Sequence, residues 1–162
     1  MLIQIKKNGT LKFNKFSCRC SVGKNGLKSQ KKEGDCATPK GVFSLGKIYF
    51  RKDRLKKIKS SLKIKRIKKN MGWCNSPKDT FYNKEINLNS KKKGEKLFRK
   101  DHKYDAFITI EYNSNPVVPG KGSAIFLHLT KNYEPTMGCV AIKKDDFFKL
   151  LNLINSKTKI KI

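Results

Sequence analysis

Arginine is scarce in this chain. Its 162 residues carry 39 Lys and Arg against 12 Asp and Glu, a formal charge of +27, yet only five of the basic residues are arginine. Such a charge draws any polyanion, whether nucleic acid, anionic lipid or another anionic polymer. Readers of phosphates and base edges, however, rely on the planar guanidinium, so no specific nucleic-acid partner is expected. Long apolar runs are missing as well. No stretch approaches the ~20 residues of a transmembrane helix, so no membrane span is expected. The opening Met1-Leu2-Ile3-Gln4-Ile5-Lys6-Lys7 is too short an apolar run for an export signal. No histidine lies near Cys18-Arg19-Cys20, whose one-residue spacer is tighter than zinc sites use; neither a metal nor a cofactor is called for.

The hydrophobic share, 37%, is low, but aromatics make up 10% and several apolar runs interrupt the lysine, which argues against general disorder. The length suits one domain, residues 1–162, with a sizeable core, and a monomer is expected. The cysteines stand at 18, 20, 36, 74 and 139. With Cys139 set apart, Cys18, Cys20, Cys36 and Cys74 leave two options: a pair of disulfides in an oxidising space, or reduced thiols.

The stretch Gly122 to Ile142 concentrates the chemistry. An apolar run, Ala124-Ile125-Phe126-Leu127, delivers His128; a polar connection with Pro135 leads through Thr136-Met137-Gly138 to Cys139 and a second apolar run, Val140-Ala141-Ile142. Both runs read as short buried strands. Side by side, they would let the connecting loop bring imidazole and thiol together. A thiol of ordinary pKa, about 8.5, is mostly protonated at neutral pH, and a neighbouring imidazole either takes that proton or, as imidazolium, stabilises the thiolate. Gly138, lacking a Cβ, can take a strained turn and aim the Gly138 and Cys139 N–H groups at a developing oxyanion. Against this stands the plainer role of each residue, since Cys is among the most buried types and a strand-ending His is often a hydrogen-bonded core residue.

A second stretch tips the balance: Thr38-Pro39-Lys40-Gly41-Val42-Phe43. Together with His128 and Thr136-Met137-Gly138-Cys139-Val140, it resembles the L,D-transpeptidase (YkuD-like) catalytic domain, whose members show a T-P-x-G-x-F element, then a histidine, then a [ST]-x-G-C-[IV] element holding the nucleophile. The order and separation fit over nearly the whole chain. Many members have histidine before the glycine and arginine two residues after the cysteine, where this chain has Met137 and Ala141, marking a divergent subgroup distinguished by Gly72-Trp73-Cys74-Asn75, Tyr82-Asn83 and the stretch Tyr112-Asn113 to Gly122.

The resemblance implies a mainly β fold with mixed sheets, acyl transfer through a Cys139 thioester with His128 as base, and peptidoglycan stem peptides as substrate. It also implies a periplasmic or cell-envelope address; with no leader visible, the cytoplasm stays open. Thr136, Trp73, Tyr82, Tyr112 and Asn113 are candidate substrate contacts. Hydrolysis in place of transfer, as in an L,D-carboxypeptidase or amidase, is one alternative. An inactive wall-binding relative, or a basic module binding nucleic acid or an anionic wall polymer, is another.

Among the remaining elements, Leu2–Ile5 and Leu11–Phe16 alternate around Asn8-Gly9 and predict a hairpin. Residues 22–34 read as a surface loop, and Thr38–Phe43 as an ordinary entry into a strand. The lysine-dense segment 51–70 reads as a solvated face over the core. Residues 71–85 form an aromatic loop in which Trp73 either walls a groove or plugs the core, and 87–96 are expected to be exposed. Ala106–Tyr112 is the clearest strand. His102, flanked by Asp101 and Lys103, reads as a surface residue. Asp145 and Asp146 open one C-terminal amphipathic helix with Phe147, Leu150, Leu151 and Ile154 inward, and Lys157–Ile162 reads as an edge strand guarded by lysine.

Overall fold

The computed structural model describes residues 1–89 and 91–162. In chain order its elements are β1 (Leu2–Lys6), β2 (Thr10–Phe13), β3 (Phe16–Arg19), β4 (Leu27–Lys28), β5 (Thr38–Pro39), β6 (Val42–Phe50) and β7 (Ile64–Arg66). They continue with β8 (Met71–Trp73), β9 (Glu85–Asn87), β10 (Glu95–Lys96), β11 (Ala106–Ile110), β12 (Phe126–Thr130), β13 (Val140–Lys143), α1 (Lys144–Leu153) and β14 (Lys159–Lys161). The main sheet runs β13-β12-β11-β6-β14-β1-β2-β3, with β7 paired to the far half of β6; β10-β8-β9 form a small sheet, and β4 pairs with β5. The fold is thus mainly β with mixed sheets and one C-terminal helix.

The hairpin at Asn8-Gly9 forms, with Gly9 at φ +75°. The run Leu11–Phe16, however, is two strands, because Asn14 turns at φ +52° and sends β3 back along β2. The loop 22–34 is not wholly superficial: β4 lies parallel to β5, and Lys31 is only 6% exposed. In the lysine-dense segment, Leu55, Ile58, Leu62 and Ile67 are buried anchors, and β7 extends the sheet. Within 87–96, Asn87 is exposed and Glu95 half-buried, while Ser90 lies outside the described residues.

The sheet has two apolar faces, and they are occupied differently. Ile108, Leu127, Leu129, Val140 and Ile142 point to one side and meet Phe147, Leu150 and Leu151 of α1, as the helical spacing predicts. Asp145 and Asp146 sit in the first turn of α1, where the helix dipole favours negative charge. On the opposite side Tyr49, Phe107 and Phe126, from three adjacent strands, stack in a ladder with centroids 4.9 and 4.6 Å apart. Tyr104, Met71 and Leu97 cover that ladder. Each aromatic pair adds roughly 0.5–1.5 kcal/mol beyond its buried area. Because both faces are covered, β11 is buried at all five positions, although its sequence alternates.

The terminal strand departs furthest from expectation. β14 is not an edge: it is inserted between β6, antiparallel, and β1, parallel. Lys159 and Lys161 point to solvent, while Ile160 between them is 0% exposed. Ile160→Ala is therefore expected to cost about 2–5 kcal/mol and Lys161→Ala no more than about 0.5 kcal/mol, read as shifts in the urea midpoint at constant slope. Equal effects would mean that β14 does not join the two halves of the sheet.

Candidate active site

β12 and β13 lie side by side and parallel, with Leu127 opposite Val140 and His128 opposite Ala141. Paired residues of neighbouring strands point to the same face, and successive residues alternate. His128, Ala141 and Cys139 two residues before it therefore share the aromatic face, Cys139 packing with Phe126 and Tyr104 and His128 edge-on to Tyr104. Leu127 and Val140 turn to the helix side. One cleft of about 460 Å³ exposes both Cys139 and His128.

The peptide leading to Cys139 is held by threonines from two parts of the chain. The Thr136 hydroxyl donates to the Cys139 carbonyl at 2.6 Å and accepts from the Gly138 N–H at 3.1 Å. The Thr38 hydroxyl also reaches that carbonyl, at 3.4 Å, and accepts from the Gly23 N–H at 2.7 Å. Thr38 is thus a brace of the nucleophile segment and not merely an entry to a strand. Gly138 turns at φ +139°, and a Cβ there would come within 3.0 Å of the Ala37 carbonyl. The same geometry bears on the expected oxyanion donors. The Gly138 N–H is engaged by Thr136, whereas the Cys139 N–H meets no protein acceptor among the described residues.

The thiol is 7% exposed. Its partners are the Ala124 carbonyl, to which it donates at 3.2 Å, and the Phe126 N–H, which donates to it at 3.4 Å. Burial pushes its pKa up to about 12, the Glu95 charge adds to this, and the Phe126 N–H, Lys31 and Tyr104 oppose it. His128 Nδ1 is 2.9 Å from the Leu129 carbonyl. Donation to that oxygen assigns the proton to Nδ1 and leaves Nε2 as the basic nitrogen. Burial pushes the imidazole down to about 4. At neutral pH the resting pair is a thiol and a neutral imidazole.

Around them the cleft is mixed in charge. Lys31, Arg99 and Lys103 supply cations, and Glu33, Glu95 and Glu134 supply carboxylates. Lys31 is paired with Asp35 at 2.7 Å and Arg99 with Asp101 at 2.6 Å. Met137, 76% exposed, stands at the mouth, and Ala141 lies inside.

The structure brings together Cys139, His128, Gly138 and Thr136. It sets the four other candidates outside the cleft lining. Trp73 packs edge-on against Phe126 at 5.1 Å and donates to Asn83 Oδ1. Tyr82 is buried, donating to Glu33 at 2.5 Å and accepting from the Gly122 N–H. Tyr112 donates to the Lys121 carbonyl, and Asn113 ties residues 118 and 122 together. His102 is exposed and pairs with Asp105. All five cysteines are free thiols. Lys31, Glu95 and Tyr104 were not legible in advance: Lys31 is one lysine among many, Glu95 sat in a stretch read as exposed, and nothing in the local pattern singles out Tyr104.

A family model described as YkuD, the L,D-transpeptidase catalytic domain, matches residues 2–162. A solved structure of Bdellovibrio bacteriovorus Bd1075 is similar in fold, with a TM-score of 0.50 at 17% identity, over 99% of this chain and 46% of that one. This chain therefore spans under half the length of that relative. No curated protein matches the chain significantly.

The lowered imidazole makes stability depend on pH. Because the unfolded chain, with an ordinary value of 6.5 against about 4 when folded, binds this proton more readily, the stability is complete above pH 6.5 and is lost as pH falls towards 4. The loss is expected to reach about 2–3 kcal/mol at about pH 4.5, measured by urea denaturation, and to vanish in His128→Gln. An equal loss in the variant would assign the acid sensitivity to other groups.

Proposed function

Since this chain belongs to the YkuD family of L,D-transpeptidase catalytic domains, we propose that it is a cysteine-dependent acyltransferase acting on peptidoglycan stem peptides. The observation that carries the reading is the shared face of β12 and β13, on which the thiol and the imidazole open into one cleft. It works at the cell envelope as a monomer, with residues 2–162 forming the catalytic domain. No helix among the described residues is long and apolar enough to cross a membrane.

In the proposed reaction His128 Nε2 takes the Cys139 proton as sulfur attacks the carbonyl of the stem's diamino acid residue. A resting pair of neutral groups supports this general-base order over a preformed thiolate–imidazolium pair. The Cys139 N–H is the donor available to the oxyanion; the Gly138 N–H joins only if it leaves Thr136. One such donor is worth about a hundred- to a thousandfold in rate. His128 then protonates the departing D-alanine amine, leaving the acyl group on sulfur as a thioester. The side-chain amine of a second stem resolves it, with hydrolysis by water the competing outcome. Thr136 and Thr38 hold the segment, and Trp73, Tyr82, Tyr112 and Asn113 act on substrate only through the loops they brace.

Purified stem tetrapeptides provide the test. Wild type is expected to release D-alanine and form cross-linked dimers, and intact mass after a carbapenem is expected to rise by one adduct. Cys139→Ala should abolish both, and His128→Gln should lower turnover about a hundred- to ten-thousandfold. Release without dimers would make the enzyme a carboxypeptidase. The same adduct on Cys139→Ala, or no turnover with tight salt-sensitive binding to a polyanion, would replace the enzyme with a binding module.

A further inference from the structure

Of the three carboxylates that line the cleft, two are matched with a partner suited to them and one is not. Glu95 is deeply buried and accepts the Tyr104 hydroxyl. Glu134 is paired with Lys103 at 3.9 Å. Glu33, between β4 and β5, is half-buried and held differently. Its Oε2 accepts from the Tyr82 hydroxyl at 2.5 Å and from the Ser123 hydroxyl at 2.7 Å, and its backbone N–H donates to the Gly120 carbonyl at 2.8 Å. Its Oε1 accepts no hydrogen bond among the described residues. The cations of the cleft are engaged elsewhere, Lys31 with Asp35, Arg99 with Asp101 and Lys103 with Glu134.

A half-buried carboxylate fixed by two neutral hydroxyls and left without a counter-ion is a site that a cation completes. Tying Tyr82 to Ser123 needs only an acceptor, which a neutral amide would supply, so the charge itself has no structural use. The site also lies beside the reacting sulfur. Ser123 immediately precedes Ala124, whose carbonyl accepts the Cys139 thiol at 3.2 Å, and Glu33 and Cys139 line the same cleft. We infer that Glu33 binds the side-chain ammonium of the donor stem's diamino acid residue and so selects a donor that carries an amine on the residue under attack. This rests on the reading of the protein as a stem-peptide acyltransferase.

Both stems bring such an amine, and their chemistry separates them. The donor's amine takes no part in the reaction and can stay protonated against a carboxylate throughout. The acceptor's amine must lose a proton before it attacks, and a carboxylate beside it favours the charged, unreactive form. The overall charge adds a reason for a dedicated contact. At +27 the protein repels ammonium groups in general, and a carboxylate in the cleft reverses this locally.

The experiment measures D-alanine release from two tetrapeptides, one with the diamino acid and one in which hydrogen replaces its side-chain amine. Wild type is expected to show a KM about tenfold lower for the amine, the weight of one hydrogen bond between charged groups. Glu33→Gln, whose amide oxygen still accepts from Tyr82 and Ser123, should treat the two peptides alike. Each protein is its own control, so a general loss of stability, which slows both substrates equally, does not imitate this result. Equal KM values in wild type would overturn the inference with no variant needed. Persisting discrimination in Glu33→Gln would overturn it too, and a simultaneous fall in cross-linked dimers would assign Glu33 to the acceptor instead. In each of these cases D-alanine release still supports the stem-peptide reading. Release from neither peptide by wild type would remove that reading and the inference together.

Discussion

The site depends on the parallel register of β12 and β13. Side chains alternate along a strand, so a slip of one residue would send Cys139 to the helix face and leave His128 alone. Parallel neighbours need a connection that travels back the length of a strand, and this one uses residues 131–139 without a helix. Its return is fixed by contacts outside the pair: Thr136 bridges to Gly23, and Thr136 and Thr38 both donate to the Cys139 carbonyl. The end of the loop is therefore tied to two remote parts of the chain, at Gly23 through Thr136 and at Thr38 directly.

Burial then decides the chemical state of the pair. A thiol and an imidazole removed from water both prefer their neutral forms, and each retains a backbone partner, Ala124 for sulfur and Leu129 for Nδ1. Reactivity has to come from donors already in place when charge develops, since water does not supply them. The net charge of +27 contributes little to this directly. The cleft carries cations and carboxylates together, with Lys31 and Arg99 paired to Asp35 and Asp101 beside it, while most of the lysine lies on the exposed surface.

The segment between β8 and β10 acts as a buttress. Trp73 donates to Asn83, Asn83 accepts from the Ala124 N–H, and the Ala124 carbonyl receives the thiol. Ala124 is held at φ +54°, a conformation unfavourable for alanine that the Asn83 bond helps to maintain. Tyr82 ties Glu33 to Gly122 in the same way. These aromatic and amide side chains brace the loop that carries Ala124, and for Trp73 the structure shows packing against Phe126.

What could be read along the chain was whatever depends on short-range pattern. The Asn8-Gly9 hairpin, the helix led by Asp145 and Asp146, and the two apolar runs holding His128 and Cys139 follow from local turn chemistry and periodicity. The spacing of Thr38, His128 and Cys139 matched a family. The pairing of distant segments could not be read in this way, because a strand's neighbours leave no mark on its own periodicity. Lys157–Ile162 alternates as an edge strand would, yet it lies in the middle of the sheet, and Lys31, Glu95 and Tyr104 resemble any surface residues until the fold closes around Cys139. The order of residues along the chain determined which groups were available for the chemistry. Tertiary structure decided which of them meet and in what protonation state, because proximity and the loss of water arise only when remote segments pack together.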